Sequence, residues 1–116
     1  QWDDHEVRNN WFPGEVLDDA AYTERRIDVL AARARRAFWE YAPTLRDVAG
    51  PMYREVPWGP LVSVFLLDGR SYRTPNEPAP HEGGLLGDVQ TAWLLDALST
   101  SKAVWKVVAC DMPIGL

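Results

Sequence analysis

Cysteine is almost missing. Cys110 stands alone in a chain of 116 residues, so no disulfide can close within it. Histidine is nearly as scarce: with only His5 and His81 present, no complete His-rich metal centre can be assembled from this sequence. No apolar run comes near the roughly 20 residues that a membrane-spanning helix needs. Excess positive charge is lacking too. The formal net charge is -5, which leaves no broad basic face for nonspecific nucleic-acid binding. A glycine-rich phosphate loop is also absent, because Gly83, Gly84 and Gly87 have neither a following lysine nor a strand before them. No repeat, low-complexity tract or linker divides the chain. The sequence shows no leader pattern, but that says nothing about export. It opens at Gln1, inside what reads as an active motif, and closes on Pro113-Ile114-Gly115-Leu116 with no polar tail. The expectation is a segment of a larger protein.

What is present argues for a folded chain. The hydrophobic fraction is 47% and there are six tryptophans. A chain of this length buries roughly two-thirds of its unfolded surface, enough for one modest core. Residues 1–16 read as a loop, punctuated by Pro13 and Gly14. A helix is expected next, with Asp18 and Asp19 at its N-cap and first turn. Tyr22, Ile27, Leu30, Ala31, Ala34, Phe38 and Tyr41 recur at helical spacing and form its apolar stripe. Arg25, Arg26, Arg33, Arg35 and Arg36 lie mostly off that stripe and read as a solvated face. Pro43 stops the helix near Ala42, giving about 24 residues and a length of about 36 Å.

Residues 43–52 read as a loop. Tyr53 to Val56 is a short strand, and Pro57-Trp58-Gly59-Pro60 a turn. Leu61 to Leu67 is nearly all apolar, which predicts a central strand buried on both faces and paired antiparallel with Tyr53–Val56. A long loop spans 74–86 and holds Pro75, Pro78, Pro80, His81 and Gly83. A second helix is expected from Asp88 to Leu98, ended by Ser99, Thr100 and Ser101, burying Val89, Ala92, Trp93, Leu94 and Ala97. Val104 to Ala109 is a last strand. The second strand, this helix and the last strand fit a βαβ unit with parallel strands. The fold class is therefore α/β, with a long helix, a hairpin and a βαβ unit, treated as a single partial domain over residues 1–116. Asp68 and Arg70 would then leave the sheet on the same edge as Cys110 and Asp111. Trp2 reads as the end of a further strand, which would bring Asp3 to Glu6 to that edge as well. Ligands of open α/β sheets bind beyond the carboxyl ends of strands.

Asp3, Asp4, His5 and Glu6 are consecutive ionisable groups. Their like charges repel unless a cation or partner compensates them. Carboxylates suit Ca²⁺ or Mg²⁺, and a carboxylate with histidine suits iron or zinc. Adjacent residues point different ways, so one or two of the four would bind a given ion. The plain alternative is a solvated acidic turn. His5-Glu6-Val7-Arg8-Asn9 is half of a His-Glu-x-x-His zinc helix, but Asn9 stands where the second histidine belongs and Pro13 follows closely. Arg70 and Arg73 offer planar forks for phosphate oxygens, or else pair with nearby carboxylates such as Asp68; Arg8 has the same two readings. Cys110 has two readings, a nucleophile, though no histidine is near it in sequence, or a buried inert thiol, the commoner state of a free cysteine.

Trp2-Asp3-Asp4-His5-Glu6-Val7-Arg8-Asn9-Asn10-Trp11 resembles the signature of the alkaline phosphatase D family of PhoD-like metallophosphatases. Pro13-Gly14-Glu15 and the arginine-rich helix resemble the segment that follows in that family. Leu67-Asp68-Gly69-Arg70-Ser71-Tyr72-Arg73 resembles its Leu-Asp-x-Arg-x-Tyr-Arg motif, with Gly69 where a larger residue is expected. Leu86-Gly87-Asp88-Val89-Gln90 with Trp93-Leu94, then Ser101-Lys102-Ala103-Val104-Trp105-Lys106, are similar to a later helix and strand.

The resemblance implies part of a metallophosphoesterase-type α/β sandwich that hydrolyses phosphate mono- or diesters with metals, described in the family as calcium and iron. It implies that Asp4 is a metal ligand and that His5 contacts the scissile phosphate or protonates the leaving group. Asp3, Glu6, Asn9 and Arg70 would support the site or touch phosphate. Partners implied are a phosphate ester and the remainder of a parent protein, with a secreted, periplasmic or cell-surface location. The family's upstream Asp, Tyr and Cys ligands and its downstream Gly-Asp-x-His region lie outside this sequence, so the isolated segment is expected to be inactive. The alternative is a non-catalytic binding or structural module on the same scaffold.

Overall fold

A computed structural model describes residues 1–42, 47–75 and 84–112. The expected helix stop at Pro43, and His81, Pro78, Pro80 and Gly83 of the long loop, lie outside the described residues. Five elements follow in order: α1 (Ile27–Tyr41), β1 (Arg54–Trp58), β2 (Val62–Leu66), α2 (Gly87–Thr100) and β3 (Trp105–Ala109). The sheet order is β1-β2-β3. β1 and β2 pair antiparallel with Val56 opposite Val64, and β2 and β3 pair parallel with Val64 opposite Val107. The hairpin and the βαβ unit are both as the periodicity predicts.

α1 has 15 residues, so it is about 22 Å long and much shorter than the expected helix. Residues 17–26 do not join it. Val16 pairs with Arg26 in an isolated antiparallel bridge, Leu17 N donates to Arg25 O at 2.8 Å, and Ile27 N donates to Glu15 O at 3.0 Å. Asp19 accepts from Ala21 N within the loop, and Asp18 pairs with Arg25 at 2.9 Å. Short acidic side chains offer the backbone these local bonds in competition with a helix. Arg26 is the N-cap instead, and Asp28 sits in the first turn, where its carboxylate accepts from Gly14 N at 3.0 Å.

The main core joins α1 to the N-terminal motif. Trp2, Trp11, Leu17, Ile27, Trp39 and Met52 are buried together, with Tyr22, Leu30, Ala31, Ala34 and Phe38 packed on them. This is the predicted stripe, except that Tyr41 is 87% exposed. Trp2 meets Phe38 edge-on at 5.6 Å and Trp11 at 6.4 Å. Trp2 is not in a strand, contrary to expectation; the tryptophans anchor an irregular segment by burial alone. Its approach to the sheet is fixed by Gln1, whose side-chain amide donates to Leu67 O at 2.6 Å.

β1 runs through Pro57 and Trp58, which the composition assigned to a turn. An edge strand tolerates proline because one row of its N–H groups has no ladder partner. β2 is central but not buried on both faces. Ser63 and Phe65 are buried while Val62, Val64 and Leu66 are half-buried. β3 is an exposed edge, with Trp105 68% exposed. α2 buries the C-terminal part of the predicted face, Ala97 and in part Trp93 and Leu94, but not Val89 and Ala92. Val89 is 72% exposed and Ala92 is exposed, whereas Gln90 and Ala97 are buried. Trp93 is half-buried, its ring tilted against Tyr53 at 4.8 Å and Phe65 at 6.5 Å. α2 opens on Gly87 at φ +70°, where an added Cβ would also lie 3.1 Å from Tyr72 Cβ.

Candidate functional site

Residues 4–7 form a single helical turn, in which Asp4 O accepts from Val7 N at 2.9 Å and Arg8 N at 2.8 Å. The turn closes on itself because Asn10, in a left-handed conformation at φ 58°, donates its N–H to Asp4 Oδ2 at 2.7 Å. Asparagine is among the few residues that adopt that conformation readily. Trp2 and Trp11 on either side are buried, so the acidic turn is carried on a hydrophobic base.

Asp4 is 3% exposed. Its Oδ1 faces His5 Nδ1 at 2.8 Å, and its Oδ2 lies 3.3 Å from an Arg70 guanidinium nitrogen. Burial opposes its ionisation, but the Asn10 N–H and then the Arg70 and His5 charges outweigh burial. The carboxyl is held below the usual carboxylate range. Asp3 Oδ1 reaches the same Arg70 nitrogen at 3.5 Å, and Asp3 Oδ2 lies 3.8 Å from His5 Nδ1. His5 itself is 74% exposed, so its imidazole stands at the solvent face of a buried carboxylate. Glu6 accepts from Asp3 N at 2.7 Å and closes the turn from outside, and Asn9 is exposed on the same turn.

Arg70 comes from the segment after β2. Leu67 to Arg70 are all buried, unusual for a loop carrying two charges. Asp68 Oδ1 accepts from Arg70 N at 3.0 Å and Ser71 N at 2.8 Å, folding the chain into a tight turn. Gln90 of α2 holds that turn from behind. Its Oε1 accepts from Asp68 N at 2.9 Å, and its Nε2 donates to Asp68 O at 2.9 Å and Leu86 O at 3.0 Å. Asp111, just beyond β3, meets Arg70 Nε at 3.2 Å. Burial pushes the Asp111 carboxyl up, and Arg70 offsets this only in part. Arg73 lies close enough to feel Arg70, Asp111 and Asp4, and burial lowers its pKa.

The three expected segments therefore do converge: the acidic turn, the 68–73 loop and the end of β3. Arg8 stands apart, paired with Glu15 at 3.1 Å and lying over the Tyr22 ring. Cys110 is half-buried with its sulfur 3.9 Å from Asp111. Gln90 belongs to the Leu86–Gln90 stretch that carries the family resemblance, but its sequence context gives it no task, since a lone glutamine in an apolar helix carries no pattern. Asp111 was placed at the edge but given no task.

The sequence profile of the PhoD-like phosphatase family matches residues 1–116. The chain belongs to that family. It is 35% identical to alkaline phosphatase D of Bacillus subtilis (strain 168) over an alignment of 128 residues, which covers 93% of this chain and 21% of that protein. A solved structure of PhoD superposes with a TM-score of 0.66 at 28% identity, over 93% of this chain and 23% of that one. The chain thus spans about a fifth of the length of these relatives. The mixed sheet and its helices match a PhoD-like α/β architecture.

A metal fits the donor set. Asp3, Asp4 and His5 each offer a ligand atom, all within 4.8 Å of one another, and Asp4 is already held as its anion. Three groups are fewer than the roughly six to eight oxygens that Ca²⁺ takes, so further ligands would have to come from outside this turn.

Proposed function

We propose that residues 1–116 are the central segment of the catalytic domain of a metal-dependent phosphoric ester hydrolase acting on phosphate mono- or diesters. The observation that carries this is the pairing of a buried, anionic Asp4 with an exposed His5. A ligand needs a fixed carboxylate, and a phosphate contact needs a group that reaches solvent. Asp4 would hold a metal, with Asp3 and His5 in range, and calcium and iron are the metals proposed. Such a metal supplies polarisation of the phosphoryl group and activation of the attacking oxygen.

The remaining tasks fall to side chains of this chain. Asp4 Oδ1 orients the imidazole through Nδ1 and leaves Nε2 for the phosphate or for the proton given to the leaving oxygen. Arg70 and Asn10 fix Asp4 from its other oxygen. Glu6 and Asn9 stand on the exposed side of the turn, as supporting or phosphate-contacting groups. The exposed apolar β3 and the share of the relatives' length that is matched both support a segment packed within a larger domain. A location outside the cytoplasm belongs to the same proposal. Among the described residues, no helix is long and apolar enough to cross a membrane.

The test is kinetic. The full-length protein is assayed with a chromogenic phosphodiester and a phosphomonoester, with and without Ca²⁺ and iron, as wild type and as His5→Ala and Asp4→Ala. Both variants should lose activity, and the isolated 116 residues should show none. Unchanged turnover in His5→Ala removes its assigned role, and metal-dependent turnover by the isolated segment refutes the claim that its site is partial.

A further inference from the structure

Asp111 follows β3 directly. Leu67 N donates to Ala109 O at 2.9 Å, so the β2–β3 pairing continues past the strands and brings Asp111 beside Gly69. A Cβ on Gly69 would lie 2.7 Å from Asp111 Oδ1 and 3.3 Å from its Cγ. Any larger residue there would displace the carboxylate, so glycine at this position makes room for Asp111. The carboxylate is almost wholly buried, with Oδ2 on Arg70 Nε. The adjacent Nη2 of the same guanidinium lies 3.3 Å from Asp4 Oδ2 and 3.5 Å from Asp3 Oδ1. Arg70 Nη1 is buried without a partner among the described residues, and Nη2 also donates to Met112 Sδ at 2.8 Å, so the charged groups that orient this cation are its three carboxylates.

Three carboxylates thus share one guanidinium. A cation bound at Asp4 must compete with Arg70 for the Asp4 and Asp3 oxygens. Asp111 takes up Nε, beside the Nη2 that Asp4 and Asp3 share, and by competing for the same guanidinium it lessens the hold of Arg70 on those oxygens, which favours the competing cation. We propose that Asp111 is a positioning residue of the Asp3–His5 site, acting through Arg70 to set how strongly Asp4 takes a cation. The inference rests on the metal reading above.

The experiment is calorimetric titration of the full-length protein with Mn²⁺ and with Ca²⁺, as wild type, Asp111→Asn, Arg70→Met, the double variant and Gly69→Ala. Asp111→Asn should weaken ion binding about 10- to 100-fold, the usual range for a group behind a ligand. With Arg70→Met already in place, the same change should have a much smaller effect, because coupled neighbours are not additive. Gly69→Ala keeps every charge but displaces the carboxylate, and should weaken binding in the same direction. If Asp111→Asn does not fold, Gly69→Ala with and without Arg70→Met makes the same comparison. An equal effect with and without Arg70, or wild-type affinity in both Asp111→Asn and Gly69→Ala, overturns the inference. Asp4→Ala separates the two claims: if it abolishes binding while those variants bind normally, only the inference fails. Undiminished binding in Asp4→Ala sinks the metal reading and the inference together.

Discussion

Arg70 and Asp4 form an ion pair at 3.3 Å in which both side chains are almost wholly removed from water. They are 66 residues apart in sequence and come from two separate loops. Taking a guanidinium and a carboxylate out of water is expensive, and the pair is kept only because each also has other partners. Arg70→Met would leave Asp4 and Asp111 without their buried cation. The expected loss is about 3–5 kcal/mol of unfolding free energy, the usual cost of breaking a buried pair from one side. Urea unfolding of wild type and variant measures it directly. A loss below about 1 kcal/mol would mean that water reaches the pair and that the cation is not structural.

Glu24 gives a pH dependence with a definite sign. Its carboxylate accepts from Arg26 Nε and Nη2, both at 2.9 Å, and from Arg26 N at 3.0 Å. The Arg26 side chain, then its backbone N–H, hold the carboxyl down at about 2. A carboxylate depressed in the folded state stabilises the fold fully above its unfolded pKa and loses that contribution as pH falls through the folded value. The contribution is therefore lost between about 4.5 and about 2, and not at neutral pH. NMR titration of the Glu24 carboxylate should show a midpoint near the lower figure. It should return to the ordinary range in Arg26→Gln. A wild-type midpoint in the ordinary range would refute the assigned contact.

That contact lies where sequence periodicity was least informative. The apolar stripe of α1 was legible because Ile27, Leu30, Ala31, Ala34 and Phe38 repeat at helical spacing. The start of the helix was not, because Asp18 and Asp19 suit an N-cap and a loop equally well. What decided it was pairing between Glu15–Leu17 and Arg25–Ile27, a tertiary fact. The βαβ unit was legible because parallel strands need a crossover helix, and this in turn placed Arg70 and Asp111 at one edge. The contacts at that edge were not legible. Gln90 and Asp111 each act on a residue far away in the chain, and no local pattern encodes such a partner.

Ile27 is fully buried at the junction where α1 begins and the loop bridge ends. Shortening it should cost in proportion to the methyl groups removed. Ile27→Val is expected to lose about 0.5–1.5 kcal/mol and Ile27→Ala about 2–5 kcal/mol. Tyr41 ends the same stripe but is exposed, so Tyr41→Ala should change stability by less than about 0.5 kcal/mol. Denaturant midpoints for the three variants rank the positions. A Tyr41→Ala loss as large as that of Ile27→Ala would contradict the packing described for α1.

Gln90 makes the last prediction, because it separates holding a loop from filling a core. Its amide satisfies both the N–H and the carbonyl of Asp68, and reaches Leu86 O, from a fully buried position. Gln90→Leu keeps the volume but strips those groups of their partners, at about 1–3 kcal/mol for each buried group left unsatisfied. Gln90→Glu keeps the acceptor for Asp68 N but sets a carboxylate against two carbonyls. It should therefore be at least as damaging at neutral pH, and should recover as pH falls and the carboxyl gains a proton. Because Asp68 shapes the turn that carries Arg70, both changes should also speed amide exchange across residues 68–71 more than in the α1 core. Faster exchange confined to α2 would show that Gln90 serves only its own helix. Selective opening of the 68–71 turn would show that the helix amide holds Arg70 against Asp4.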